Sequence, residues 1–122
     1  MEFLIELDRL KPDDGVFFLA AAIDLAGIDQ RLLPRFSERI EIPYPNRDER
    51  RRILQKMFAR IPKDFDVEQV SAEIAARPGL NSFRDLHSLV QSACRSATER
   101  ADAIEDVVLR REDLLRAMER NV

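Results

Sequence analysis

Cysteine and histidine occur once each among the 122 residues, tryptophan is absent, and glycine occurs only three times. These scarcities close off whole classes of chemistry. A single cysteine, Cys94, can form neither an internal disulfide nor a cysteine-rich zinc site, and the absence of cysteine pairs fits a reducing compartment, with the cytoplasm as the expected location. The one histidine, His87, rules out a His-Glu-x-x-His zinc motif and leaves a serine or cysteine triad a single base to work with. None of Gly15, Gly27 and Gly79 belongs to a GxxxxGK[ST] loop, so this stretch of sequence holds no phosphate cradle of that kind. The longest apolar run, Val16 to Ile23, is stopped by Asp24 and falls far short of the roughly 20 residues that cross a bilayer as a helix. Glu2, Glu6 and Asp8 stand where a signal peptide needs positive charge and an uninterrupted apolar centre, so no export signal is expected.

What is present is the material of one folded domain. The composition is 45% hydrophobic, and a chain of this length buries roughly two thirds of its unfolded surface, which argues against disorder. Charged residues make up 35%, with 20 basic against 23 acidic and a net charge of -3. That balance argues against nucleic acid as the main partner, because phosphate-binding proteins usually carry a basic excess.

Phe3, Leu4, Leu7 and Leu10 recur at helical spacing, so the chain is expected to open with an amphipathic helix that ends in the turn Lys11-Pro12-Asp13-Asp14-Gly15. The helical pattern begins directly at Met1 without a capping residue, which suggests a natural start further upstream. Val16 to Ala21 reads as a strand buried on both faces. Asp29 is expected to cap a short helix, Gln30 to Leu33, disturbed by Pro34. The alternation in Arg39-Ile40-Glu41-Ile42 predicts a second strand leading out through Pro43-Tyr44-Pro45.

From Asn46 onward the pattern is helical. Asn46 and Glu49 predict a capping box, followed by an apolar face of Ile53, Leu54, Met57, Phe58 and Ile61 opposite Arg50, Arg51, Gln55, Lys56 and Arg60. Asp66 is expected to cap a second helix with Val67, Val70 and Ile74 inward, stopped by Pro78-Gly79. Ser82 and Asp85 predict another box, opening a stripe of Phe83, Leu86, Leu89, Val90, Ala93, Cys94 and Ala97. A last helix holds Leu114, Leu115 and Met118.

Single residues offer little catalytic chemistry. His87 sits beside Leu86, off the main apolar stripe, and reads as a part-solvated helix residue; Cys94 reads as core packing. Arg50-Arg51-Arg52 invites a phosphate-binding reading, but after Asp48 and Glu49 a solvated, salt-bridged face is the stronger one. Asp13-Asp14 requires nothing beyond turn chemistry.

The order of segments is more specific. Leu4 to Leu10, Gly15 to Ala21, Ile28 to Phe36 and Arg39 to Pro45, followed by Arg50 to Leu54, Lys63 to Val67, Gly79 to Leu86 and Glu112 to Met118, resemble the C-terminal part of an AAA+ ATPase module, of the AAA family, with its helical lid. The resemblance implies a mainly α fold with a small α/β remnant: two strands of a partial P-loop core over residues 1–45, then a four-helix lid bundle over 46–122. The Walker A and Walker B region is absent, which implies a truncated module.

By the same resemblance Arg35, before Phe36, matches the arginine finger that reaches the γ-phosphate held by a neighbouring subunit; the bland alternative is a surface pair with Glu38. Ile23 falls where the family usually has a polar sensor 1 residue, with Asp24 adjacent. Ser82, Phe83 and Arg84 match the lid positions that approach nucleotide, and Arg84 resembles the sensor 2 arginine of other AAA+ clades or is a first-turn surface arginine opposite Asp85. The implied cofactors are ATP and magnesium in a complete module, with none expected for the isolated chain. The implied partners are other AAA+ subunits in a ring, or the missing N-terminal half, and a protein substrate to be remodelled. A non-catalytic helical interaction module derived from an AAA+ protein is the alternative.

Overall fold

The computed structural model describes residues 6 and 8–120. The chain divides into two compact units, Met1–Ile42 and Pro43–Val122.

The second unit is built from four helices: α1 (Arg47–Phe58), α2 (Val67–Ala75), α3 (Phe83–Arg100) and α4 (Arg111–Arg120). Each start has a local cause. Asn46 Oδ1 accepts from Glu49 N at 2.8 Å while Asn46 N donates to Glu49 Oε2 at 3.2 Å, the reciprocal box expected from the sequence. Asp66 accepts from Gln69 N at 3.0 Å, and Ser82 exchanges two 3.0 Å bonds with Asp85. At α4 the fourth device is half a box, Arg110 N donating to Asp113 Oδ2 at 2.9 Å. Gly79, at φ 86°, turns the chain after α2 in a conformation that a Cβ would strain.

α1 packs on α2 and α3, and α3 packs on α4. Their shared core holds Leu54, Phe58, Val70, Ile74, Leu86, Leu89, Ala93, Leu114 and Ala117, all at most 3% exposed. Phe58 meets Phe65 edge to face, ring centres 5.2 Å apart. Between the helices in sequence, Lys63 and Leu109 form an isolated parallel bridge, with Leu109 N donating to Pro62 O at 2.8 Å and Asp64 N to Leu109 O at 3.2 Å. This pairing ties the α1–α2 connection to the segment before α4.

Two expectations for this unit are corrected. Arg50 is not on the solvated face: its guanidinium donates to the Ala75 carbonyl at 3.2 and 2.8 Å and to the Pro45 carbonyl at 2.9 Å. It thereby places positive charge on the C-terminal carbonyls of α2, where the helix dipole favours it. Phe83, assigned to the apolar stripe, is 57% exposed. It is the first residue of α3, so its side chain lies beyond the helices that cover Leu86 and Leu89.

In the first unit Glu6, Asp8 and Arg9 are helical, while Phe3, Leu4 and Leu7 of the expected opening stripe lie outside the described residues. Two short 3-10 turns follow, Pro12–Asp14 and Leu33–Arg35. The first is closed by Lys11 N donating to Asp14 Oδ2 at 2.7 Å and by Gly15 at φ 67°. The second replaces the short helix expected over Gln30–Leu33. Pro34 falls inside that turn, and a proline has no N–H with which to continue a helical ladder.

The two-strand remnant is not seen: neither Val16 to Ala21 nor Arg39 to Ile42 is a strand. A strand exists only through a ladder, and among the described residues neither segment has a neighbour to hydrogen-bond with; a continuous apolar run reveals a liking for burial, not the partner that supplies it. The side chains are accordingly open to water, with Phe17 and Leu19 at 86%, Ile23 at 94% and Ile42 at 88% exposure.

Candidate functional site

Arg35 ends the second 3-10 turn, where Pro34 fixes the preceding backbone. Its Nε and Nη2 donate to the two carboxylate oxygens of Asp8 at 2.8 and 2.9 Å, and Nη1 donates to the Arg31 carbonyl. The partner of the fork is therefore Asp8 rather than the anticipated Glu38. Hydrogen bonds from Arg35 outweigh desolvation and hold the Asp8 carboxyl below its ordinary value. The side chain remains one third exposed, so the planar guanidinium presents two parallel N–H groups to oxygens at the surface. Arg31 beside it is tied to Asp29 at 2.7 Å, and its side-chain and backbone N–H groups pull the Asp29 carboxyl down to about 2.

Ile23 is almost fully exposed and has no polar group to offer. The carboxylate of Asp24 accepts from Ala26 N at 2.9 Å, closing its own local turn.

Ser82, Phe83 and Arg84 come together at the start of α3. The Ser82 hydroxyl is engaged as the cap, accepting from Asp85 N, while Asp85 Oδ2 also takes Asn81 N at 3.1 Å. Those bonds, from Ser82 first, hold the Asp85 carboxyl below its ordinary value. The Phe83 ring stacks on His87 with centres 5.9 Å apart and planes 16° from parallel. Arg84 is exposed, and among the described residues its guanidinium has no carboxylate partner. The start of α3 therefore presents the Phe83 ring and the Arg84 cation beside the Asp85 carboxylate, which already takes the Asn81 and Ser82 N–H groups.

Sequence reasoning missed the buried Asp113. It accepts from Arg100 Nη1 at 2.6 Å and Nη2 at 3.0 Å besides the Arg110 backbone. Burial pushes its carboxyl up, but the Arg100 and Arg110 bonds prevail and leave it below its ordinary value. Acid three residues after a helix start was the available signal, and its burial was not legible because the covering Arg100 comes from another helix. Arg51 and Arg52, by contrast, pair with Asp48 at 2.8 and 2.7 Å as the salt-bridged reading requires, and Arg51 also reaches Glu68 at 2.6 Å.

Comparison with known proteins adds a second line. An ATP-dependent zinc metalloprotease FtsH from Methylibium petroleiphilum is 37% identical over 108 residues, covering 84% of this chain and 17% of that protein. The meiotic spindle formation protein mei-1 of Caenorhabditis elegans is 32% identical over 121 residues, covering 97% of this chain and 25% of its own length. A putative 26S proteasome regulatory subunit homolog from Methanothermobacter marburgensis is 32% identical over 111 residues, or 91% of this chain and 28% of that protein. No family model matches the chain, and no solved structure is significantly similar to it. These relatives make the chain a member of the AAA+ ATPases. It represents the C-terminal part of the ATPase module with the helical lid, and it spans between 17% and 28% of the length of those three relatives.

Proposed function

We propose that this chain is the part of an AAA+ ATPase that supplies the arginine finger, Arg35, and a lid whose Ser82, Phe83 and Arg84 lie against nucleotide, coupling ATP binding and hydrolysis to the remodelling of a protein substrate in a ring of subunits. In this reading residues 1–45 complete the nucleotide-binding core and 46–122 form the lid. The observation that carries it is the bidentate grip of Arg35 on Asp8 at 2.8 and 2.9 Å, because the same fork fits two oxygens of a phosphoryl group. Relatives that cover almost the whole chain, one of them named as ATP-dependent, support the setting.

In this reading the magnesium-nucleotide cradle is the contribution of the N-terminal half of a module. The sequence contains no GxxxxGK[ST] loop, and among the described residues no three histidine, cysteine or acid side chains gather as metal ligands. What this chain adds is charge: Arg35 leaves Asp8 for oxygens that become more negative as transfer proceeds, and Arg84 offers a second cation from the lid.

The test is a chimera in which this chain follows the Walker A and Walker B half of one of its relatives. Arg35→Ala there leaves ATP affinity within about twofold and lowers turnover by about a thousandfold, the range known for trans-acting arginines. Unaltered turnover removes the finger assignment.

A further inference from the structure

Residues 37–44 are all exposed, and among the described residues none of their backbone groups makes a hydrogen bond. At Pro45 this changes. Pro45 is half-buried, and its carbonyl, which precedes the first acceptor of the α1 ladder at Asn46, takes Arg50 Nη1 at 2.9 Å. The same guanidinium gives Nε and Nη2 to the Ala75 carbonyl at 3.2 and 2.8 Å. Ala75 is the last residue of α2, so that carbonyl has no acceptor role left within its own helix.

This grip differs from those of the neighbouring arginines. Arg51 and Arg52 meet carboxylates, whereas Arg50 is half-buried and among the described residues holds only main-chain oxygens. One side chain therefore joins the segment entering the four-helix unit to the end of a helix 25 residues further on. The segment it holds is stiff. In Pro43-Tyr44-Pro45 both prolines fix φ, and the residue before each of them, Ile42 and Tyr44, is confined to extended backbone. Fixing one carbonyl at the end of such a strut sets the direction of all of it.

We infer that Arg50 is a latch that locks the strut Pro43–Pro45 to the end of α2, so that the strut turns with the four-helix unit and bending is confined to residues 37–42 before it. A locked strut passes a rotation of the unit to the chain that precedes it, and a loose one absorbs it. Arginine suits the task because its planar fork serves two acceptors at once in fixed geometry. The inference does not depend on the nucleotide role of Arg35.

The test is the backbone amide order parameter, measured by nitrogen-15 relaxation on the full 122-residue chain. Tyr44 carries the only N–H of the strut, since proline has none. Its order parameter is about 0.85, as in α1 and α2, while those of residues 39–42 lie below about 0.6. Arg50→Met removes every donor but keeps a straight side chain of similar helix propensity. It drops Tyr44 below about 0.6 and leaves α1 and α2 unchanged. Arg50→Lys keeps positive charge at the end of α2 but cannot fork across two carbonyls, so it loosens Tyr44 as well; it decides alone if Arg50→Met fails to fold. A mobile Tyr44 in the wild type, or residues 39–42 as ordered as the helices, overturns the inference. So does a Tyr44 as rigid in either folded variant as in the wild type, or a loss of order in α2 equal to that at Tyr44, which makes Arg50 a support of the fold and no latch.

Discussion

At the scale of single residues, the polar groups that matter most are those whose partners come from another element. Asp113 combines a helix-start bond with a bidentate pair to Arg100, which itself reaches the Val108 carbonyl at 2.9 Å. Asp113→Ala leaves Arg100 and the Arg110 N–H without their acceptor and costs about 2 kcal/mol, discounted for the third of Arg100 that faces water; urea denaturation measures it. The sign of its pH dependence follows from its depressed value. The contribution is complete above the unfolded carboxyl value of about 3.9 and is lost as pH falls through the folded one. Asp113→Asn therefore flattens the acid limb of the stability profile, as followed by circular dichroism between about pH 5 and pH 2. Ser71 gives the opposite case: it is fully buried on α2 and its hydroxyl has no hydrogen-bond partner among the described residues. Ser71→Ala removes an unmet polar group with almost no change in shape and raises stability by about 1 kcal/mol in the same denaturation experiment. Neither role was legible in the sequence, because Asp113 and Ser71 acquire them only when a second helix closes over them.

At the scale of elements, local chemistry wrote most of the lid. The boxes at Asn46 and Ser82 and the cap at Asp66 each involve residues three apart, so a single stretch of text contains the whole device. Ser82→Ala removes the acceptor for Asp85 N and costs about 1 kcal/mol in thermal or urea unfolding. Truncating the apolar face costs more: Leu86, fully buried on α3, loses about 2 to 5 kcal/mol on replacement by alanine. The strands expected at Val16 to Ala21 and Arg39 to Ile42 failed for the complementary reason. A helix closes its hydrogen bonds within itself, whereas a strand's ladder is completed by residues elsewhere, and among the described residues these segments have none beside them. Arg50 and Phe83 were misplaced for a related reason, since helical periodicity gives the angle of a side chain about its axis but not where a neighbouring helix stops.

At the scale of the whole molecule, family membership came from the order of segments, which no single motif carried. Arg35 was picked out by its place before Phe36, while its partner Asp8, 27 residues away, could not be read from spacing. The helices of the second unit have their own caps and one shared core, so residues 43–122 excised from the chain unfold cooperatively on heating, a transition that circular dichroism would report as a flat drift if the core needed the first unit. The account's central claim is that Arg35 acts on nucleotide bound by another subunit. The measurement that reaches it most directly is the steady-state ATPase rate of mixed rings of the chimera described above, in which one subunit carries Arg35→Ala and the other keeps Arg35 but has lost its Walker A lysine. Each protein alone is inactive, and mixing restores hydrolysis, because an intact finger from one subunit then faces an intact nucleotide site on its neighbour. A mixture no faster than its separate components would contradict the claim.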